Sequence, residues 1–104
     1  MRDISVNPGE MHWEEARGDP PGARISILRR DESGRVRTML MRVGSNFGTG
    51  GHTNATGEEQ LVLEGEIRTG GRSYGEGSYR FIPEGASHEP WSSATGAVLL
   101  VRWD

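Results

Sequence analysis

Short alternating apolar runs, separated by turn residues, constrain the fold of this chain more than any other feature. Residues 23–30 alternate with Ile25 and Ile27 on one face, and residues 35–43 alternate in the same way. A period of two residues is typical of half-buried strands. Sixteen glycines in 104 residues suit tight turns. No run of ten or more residues keeps a helical period, so the pattern predicts an all-β sandwich or barrel.

The same pattern predicts the other strands and the connections between them. Residues 31–34 indicate a hairpin connection, and residues 44–51 a glycine-rich loop. Gly65 allows a sharp bend, and Pro83 lacks the N–H group needed to continue a strand ladder. We expect strands at residues 61–63, 66–69, 79–82 and 97–103, the first buried and the last covered on both sides.

Length and composition predict one domain and exclude several classes of function. Residues 1–104 suit a single domain, with an irregular N-terminal arm at 1–22 and a barrel at 23–104. A net charge of −3, with arginines scattered among carboxylates, argues against nucleic-acid binding. Without cysteine, any metal must be held by nitrogen and oxygen ligands. The chain has neither a signal-like leader nor a membrane-length apolar run, so we expect a cytoplasmic, bacterial-type protein.

Two segments, 52–65 and 77–88, carry the residues that bear on chemistry. In the first, the spaced residues are His52, Asn54, Glu58 and Gly65. The second ends in a turn and a histidine, and its spaced residues are Gly77, Pro83, Gly85 and His88.

These segments resemble the two motifs of the cupins, which are small β-barrel proteins that hold one metal ion between two sheets. The first cupin motif is histidine, one residue, histidine, three or four residues, glutamate, six residues, glycine. Asn54 occupies the position of its second histidine. The second motif is glycine, five residues, proline, one residue, glycine, two residues, histidine, and this chain matches it without a gap. The resemblance implies an antiparallel double-stranded β-helix, or jelly roll.

The resemblance further implies a mononuclear metal site formed by His52, Glu58 and His88. Two imidazoles and one carboxylate make a facial triad that leaves half of an octahedral ion open for substrate and dioxygen. Asn54 either completes the shell as a weaker oxygen ligand or hydrogen-bonds a water. The ion would be divalent iron, manganese, zinc or nickel. The alternative is a degenerate cupin without metal, in which the histidines only form hydrogen bonds.

Glu59 is the alternative to Glu58, but it points to the opposite face of a strand. Counting back from Gly65 favours Glu58. Arg42 and Arg80 are candidates to bind an anionic group if they face inward. His12 is assigned to the surface or to packing. Four aromatic residues either line the barrel mouth or belong to the core, and for Phe81 the core is favoured: Phe47, Tyr79, Phe81 and Trp91.

Beyond the two motifs, Trp13 and the runs 21–23, 58–65, 74–79 and 88–92 resemble one branch of the cupins, over roughly residues 11–103. That branch includes the zinc-binding cupin domain of ChrR-like anti-sigma factors and small dioxygenases that cleave diketones or hydroxyacetophenones. This similarity implies a metal-dependent dioxygenase-type oxidoreductase acting on a small carbonyl or phenolic compound. The alternative function is a non-catalytic module that senses a metal or a small effector. The expected partners are a small-molecule ligand and a second copy of the chain, because cupins of this size are commonly homodimers.

Overall fold

The computed structural model describes residues 3–16, 22–50 and 56–104, and its regular structure is almost entirely β. A short 3-10 helix at Pro8–Glu10 precedes the strands. The strands of the described residues are β1 (Glu14–Glu15), β2 (Ala23–Arg30), β3 (Val36–Val43), β4 (Phe47–Thr49), β5 (Glu58–Gly65), β6 (Ile67–Thr69), β7 (Arg72–Tyr74), β8 (Tyr79–Ile82), β9 (Trp91–Ser93) and β10 (Ala97–Trp103). In the described part of the chain, no helical segment could cross a lipid bilayer.

The strands form two antiparallel sheets, which confirms the expected fold class. The large sheet has six strands in the order β1-β2-β3-β10-β5-β8, and the small sheet has four in the order β4-β9-β6-β7. Neighbours in each sheet are mostly distant in sequence, as in a jelly roll, where the chain repeatedly crosses between two sheets. The C-terminal strand β10 therefore lies in the middle of the large sheet, between β3 and β5.

The core lies between the inner faces of the two sheets. Strand β10 is central, pairing with β3 on one side and β5 on the other. The rings of Phe47 and Trp91, both from the small sheet, contact each other with centroids 5.2 Å apart. The buried cluster consists of Met39, Val43, Phe47, Val62, Ile67, Trp91, Ala97, Leu99 and Val101. Burial of these side chains is the main force that holds the sheets together.

Strands β2, β8 and β10 begin and end where the sequence pattern predicted, but three other expectations were wrong. The predicted loop 44–51 contains strand β4. The predicted buried strand 61–63 is part of the longer β5, whose pattern alternates, so that Val62 is buried and Leu63 is 41% exposed. The N-terminal segment expected to be irregular contains β1, which pairs with β2.

The chain passes from the large sheet to the small sheet at Gly65, the last residue of β5. Gly65 has φ +74°, a left-handed conformation that favours glycine. A Cβ atom there would lie 2.0 Å from the carbonyl oxygen of Gly96. Both the bend and the close approach of the two backbones therefore require glycine.

Asp31 organises the hairpin between β2 and β3. One of its carboxylate oxygens accepts hydrogen bonds from the hydroxyl and N–H of Ser33, at 2.6 and 2.9 Å, and from the N–H of Arg35, at 3.1 Å. The other accepts from Arg37 Nε at 2.9 Å. The Ser33 hydroxyl, supported by the backbone N–H groups and the Arg37 guanidinium, lowers the pKa of Asp31 from 3.8 to about 2.

We expect Gly65→Ala to lower the free energy of unfolding by about 3 kcal/mol, since it adds a backbone clash to left-handed strain. The matched control is Gly71→Ala, because Gly71 has φ +76° but open space around its Cβ position. That control should cost about 1 kcal/mol. Urea denaturation of both variants measures the difference, and equal losses would show that the contact with Gly96 is unimportant.

We expect the Asp31 carboxyl to titrate near pH 2 in an NMR pH series of the folded protein. Because folding lowers this pKa, its contribution to stability is fully present above about pH 3.8 and is lost as the pH falls towards 2. Ser33→Ala removes the principal donor and should move the midpoint back towards the ordinary value. An unchanged midpoint in Ser33→Ala would contradict the assigned cause.

Candidate functional site

Glu58 lies at the start of β5 with its side chain inside the fold. Alternation along the strand directs Glu58, Gln60 and Val62 towards the core, and Glu58 is only 5% exposed. The start of the strand is held by the N–H of Asp104, which donates to the carbonyl oxygen of Gly57 at 3.0 Å. This bond holds the start of β5, and with it Glu58, against the residue that follows β10.

His88 reaches the same region from the turn that follows β8. The N–H of Ala86 donates to the carbonyl oxygen of Pro83 at 3.1 Å, and Gly85 takes φ +78°, as the third position of a type II turn requires. His88 is 5% exposed, and its Nε2 lies 3.8 Å from Glu58 Oε1. The last motif residue and the motif glutamate are therefore neighbours inside the fold.

Two neutral donors hold the Glu58 carboxylate. Trp103 Nε1 on β10 donates to Oε1 at 2.9 Å, and Gln60 Nε2 donates to Oε2 at 2.6 Å. Arg80 Nη1 in turn donates to Gln60 Oε1 at 3.0 Å. Gln60 is thus hydrogen-bonded at both ends of its amide, to Arg80 and to Glu58.

The separation of Glu58 and His88 is compatible with shared coordination of one ion. Ligand atoms about 2.1 Å from a metal lie roughly 3 Å apart at a right angle and roughly 4.2 Å apart when opposite. The observed 3.8 Å falls between these limits. His52 and Asn54, the other two predicted ligands, lie outside the described residues. Within the described residues, no three histidine or carboxylate side chains form a group that could hold a metal ion. Of the predicted ligands, the structure thus places Glu58 and His88 together.

A cavity of about 140 Å³ opens beside these two residues, between the sheets. This volume equals that of roughly five water molecules. Trp91 contributes to it from the small sheet, and all the other strand residues come from the large sheet. The described lining consists of Met39, Met41, Glu58, Gln60, His88, Trp91, Leu99, Val101 and Trp103. The cavity is therefore small and apolar, and its polar groups lie beside the carboxylate and imidazole.

Glu59 points to the outer face of the large sheet, away from His88. Its carboxylate accepts a hydrogen bond from the Tyr79 hydroxyl at 2.8 Å and pairs with Arg102 Nη1 at 2.6 Å. The tyrosine bond, and after it the arginine, lowers the pKa of Glu59, while the same carboxylate raises the pKa of Tyr79. Glu59 thus belongs to a surface network on the opposite side of the strand.

The other residues considered from the sequence divide between the two faces. Phe47 and Trp91 are buried, whereas Tyr79 and Phe81 are 56% and 50% exposed on the outer face. The assignment of Phe81 to the core was therefore wrong; its neighbour Ile82 occupies the inner position. Arg80 faces inward, as its bond to Gln60 requires.

Arg42 and His12 lie outside the cavity. Arg42 is exposed, with its guanidinium carbon 4.6 Å from the ring centroid of Trp13. His12 is also exposed. Neither residue therefore belongs to the lining of the cavity.

Sequence analysis missed Gln60 and Trp103, which both donate hydrogen bonds to Glu58. The alternation of β5 contained a signal for Gln60, because residues 58, 60 and 62 must share a face. No local pattern pointed to Trp103, because its contact with Glu58 joins positions 45 residues apart.

The comparisons with known structures give the fold. A protein from Methylibium petroleiphilum PM1, proposed to be an acetylacetone dioxygenase, superposes with a TM-score of 0.84 at 14% identity, covering 99% of this chain and 77% of that one. The acetylacetone dioxygenase of Acinetobacter johnsonii gives 0.76 at 12% identity, covering 99% and 74%. Likeness at such low identity establishes that the cupin jelly roll is shared, but it does not establish a shared activity.

A third similar structure is the anti-sigma protein ChrR of Rhodobacter sphaeroides, in complex with SigE. It has a TM-score of 0.74 at 21% identity, with 94% of this chain covered. This chain spans 52% of ChrR, so the likeness is to one part of that protein.

Comparison with curated protein sequences finds no match. The family described as the ChrR cupin-like domain matches residues 1–103, nearly the whole length. By this match, and with a jelly roll that agrees with it, the chain belongs to the ChrR cupin-like family.

Proposed function

We propose that this protein is a metal-dependent cupin in which His52, Glu58 and His88 hold one divalent ion, with Asn54 as a weaker fourth ligand. The observation that carries the proposal is the burial of Glu58 and His88 side by side, 3.8 Å apart, at the wall of the cavity between the sheets. One imidazole and one carboxylate are ligands that iron, manganese, zinc and nickel all accept. The identity of the ion follows from metal analysis rather than from these two ligands.

The proposed reaction is a dioxygenase-type oxidation of a small carbonyl or phenolic compound. When bound, the metal would polarise a substrate oxygen and provide a site for dioxygen. Both atoms of dioxygen would enter the products, so no external reductant is needed. The similarity to acetylacetone dioxygenases supports this reaction among those that cupins perform.

The cavity walls favour a small neutral substrate. Methionine, leucine, valine and tryptophan side chains would exclude water from the substrate and contact its apolar carbons. The ionisable groups in the described lining are Glu58 and His88, both assigned to the ion. A substrate carboxylate would meet no cation among these lining residues, which favours a neutral diketone or hydroxyaryl ketone.

The alternative function is a sensor that binds a metal or a small effector without turnover. The family match and the likeness to the anti-sigma protein ChrR favour this alternative. It uses the same ligands and the same cavity, so the two functions differ only in whether dioxygen is consumed.

The homodimer and the cytoplasmic location stay predictions. The outer face of β5 and β8 provides a surface suited to a second copy, because Leu63, Tyr79 and Phe81 are each at least 41% exposed there.

We expect the purified wild-type protein to bind one divalent ion per chain, and Glu58→Gln and His88→Ala each to weaken that binding by at least about 100-fold. The matched control is Glu59→Gln, which removes the adjacent carboxylate on the outer face and should leave the affinity unchanged. Isothermal titration calorimetry with Mn²⁺ and Zn²⁺ measures the affinities. Equal losses in Glu58→Gln and Glu59→Gln, or no binding by the wild type, would refute the site.

After loading with iron(II), we expect dioxygen uptake in the presence of acetylacetone or a hydroxyacetophenone, measured with an oxygen electrode. Glu58→Gln should reduce the rate at least about 100-fold, and Glu59→Gln should not reduce it. Tight ion binding without dioxygen uptake across both substrate classes would favour the sensor.

A further inference from the structure

The amide of Gln60 lies between two charged groups, the buried carboxylate of Glu58 and the guanidinium of Arg80 on β8. The side chain is 5% exposed, on the inner face of β5. Its Nε2 donates to Glu58 Oε2 at 2.6 Å, and its Oε1 accepts from Arg80 Nη1 at 3.0 Å. Its neighbours are apolar: Val62 is buried on the same face of β5, and Val101 is the residue paired with Gln60 on β10. An aliphatic residue would therefore suit this position equally well for packing. A buried amide is costly there unless both of its ends form hydrogen bonds.

The chemistry of its two partners allows only one orientation of the amide. A guanidinium can only donate, so the oxygen of Gln60 must face Arg80. The NH₂ group must then face Glu58, whose carboxylate oxygen accepts. Turning the amide over would place oxygen against oxygen and nitrogen against nitrogen. Arg80 thus determines which end of Gln60 reaches the carboxylate.

The carboxylate is consequently held at both oxygens by donors on neighbouring strands. Gln60 binds Oε2 from β5, and Trp103 binds Oε1 from β10. Arg80 is itself held against the small sheet, with its guanidinium carbon 5.4 Å from the ring centroid of Tyr74. Rotation of the Glu58 carboxylate would break at least one of these bonds, so its plane is fixed relative to His88.

We propose that Gln60 is the positioning residue for the metal-binding carboxylate, and that Arg80 acts through Gln60 by fixing the orientation of its amide. This proposal rests on the proposed function, because it takes Glu58 as a ligand. Hydrogen-bond partners of metal ligands orient them, and loss of such a partner typically weakens metal binding about 10- to 100-fold. Neither Gln60 nor Arg80 is assigned to the ion itself.

The test is a double-mutant cycle with Co²⁺ as the probe metal, because bound Co²⁺ reports its coordination geometry by visible absorption. Gln60→Leu should raise the dissociation constant about 10- to 100-fold and change the absorption spectrum. Arg80→Met should raise the dissociation constant by a smaller factor. The double variant should bind no more weakly than Gln60→Leu, because Arg80 acts only through the amide. Arg68→Met, at an exposed position on β6, is the matched control and should bind as the wild type does.

Unchanged affinity and spectrum in Gln60→Leu, or losses that add in the double variant, would overturn the positioning proposal while leaving the metal site in place. Wild-type protein that binds no Co²⁺ would overturn the metal site and the positioning proposal together. Thermal unfolding of the metal-free variants checks that each is folded. If Gln60→Leu does not fold, Arg80→Met decides, and unchanged Co²⁺ affinity in that variant overturns the proposal.

Discussion

A carboxylate placed between two apolar sheets must be surrounded by hydrogen-bond donors, and this requirement governs the arrangement around Glu58. An unpaired charge there would cost several kcal/mol. The donors come from different parts of the chain: Gln60 on the same strand, and Trp103 near the C-terminus on β10. In the described part of the chain, every buried side-chain nitrogen and oxygen has a partner. The fold can therefore keep this carboxylate inside only if β5, β8 and β10 hold their register.

The two sheets contribute unequally to this arrangement. The large sheet has long strands and supplies Glu58, its donors and most of the cavity wall. The strands of the small sheet have three residues each and depend on bonds from side chains to the backbone. The Ser93 hydroxyl donates to the carbonyl oxygen of Glu66 at 2.6 Å, and Thr69 Oγ1 donates to that of Pro90 at 3.0 Å. These bonds hold the segment after His88 against the sheet, and so they help to determine where the imidazole enters.

Much of the large sheet could be predicted from the sequence, because β2 and β3 alternate over eight residues and β10 is a mostly apolar run of seven. The bend at Gly65 was also predictable, since a glycine followed the apolar run. Strands β4, β7 and β9 were not predicted, because three residues are too few to show a period. In addition, β4 and β9 pair with strands that are distant in the sequence. The inward position of Ile82 rather than Phe81 depends on the register between β8 and β5, which no local pattern specifies.

The candidate site was predictable only as far as the motif spacing extends. The spacing selected Glu58 and His88, and these two lie together. Gln60 was overlooked because the predicted strand began at Leu61, whereas β5 begins at Glu58, so no strand face was assigned to Gln60. Trp103 required knowledge that β10 pairs with β5. Ligand candidates can thus be recognised along the sequence, whereas the residues that orient them depend on tertiary pairing.

Anomalous diffraction from crystals grown with manganese, iron or zinc, collected at the absorption edge of the metal, tests the central claim most directly. The account predicts a single peak per chain, about 2.0–2.3 Å from both His88 Nε2 and a carboxylate oxygen of Glu58. A peak located elsewhere, such as beside Glu59 and Asp104 on the outer face, would contradict it. So would the absence of any peak between Glu58 and His88 at saturating metal.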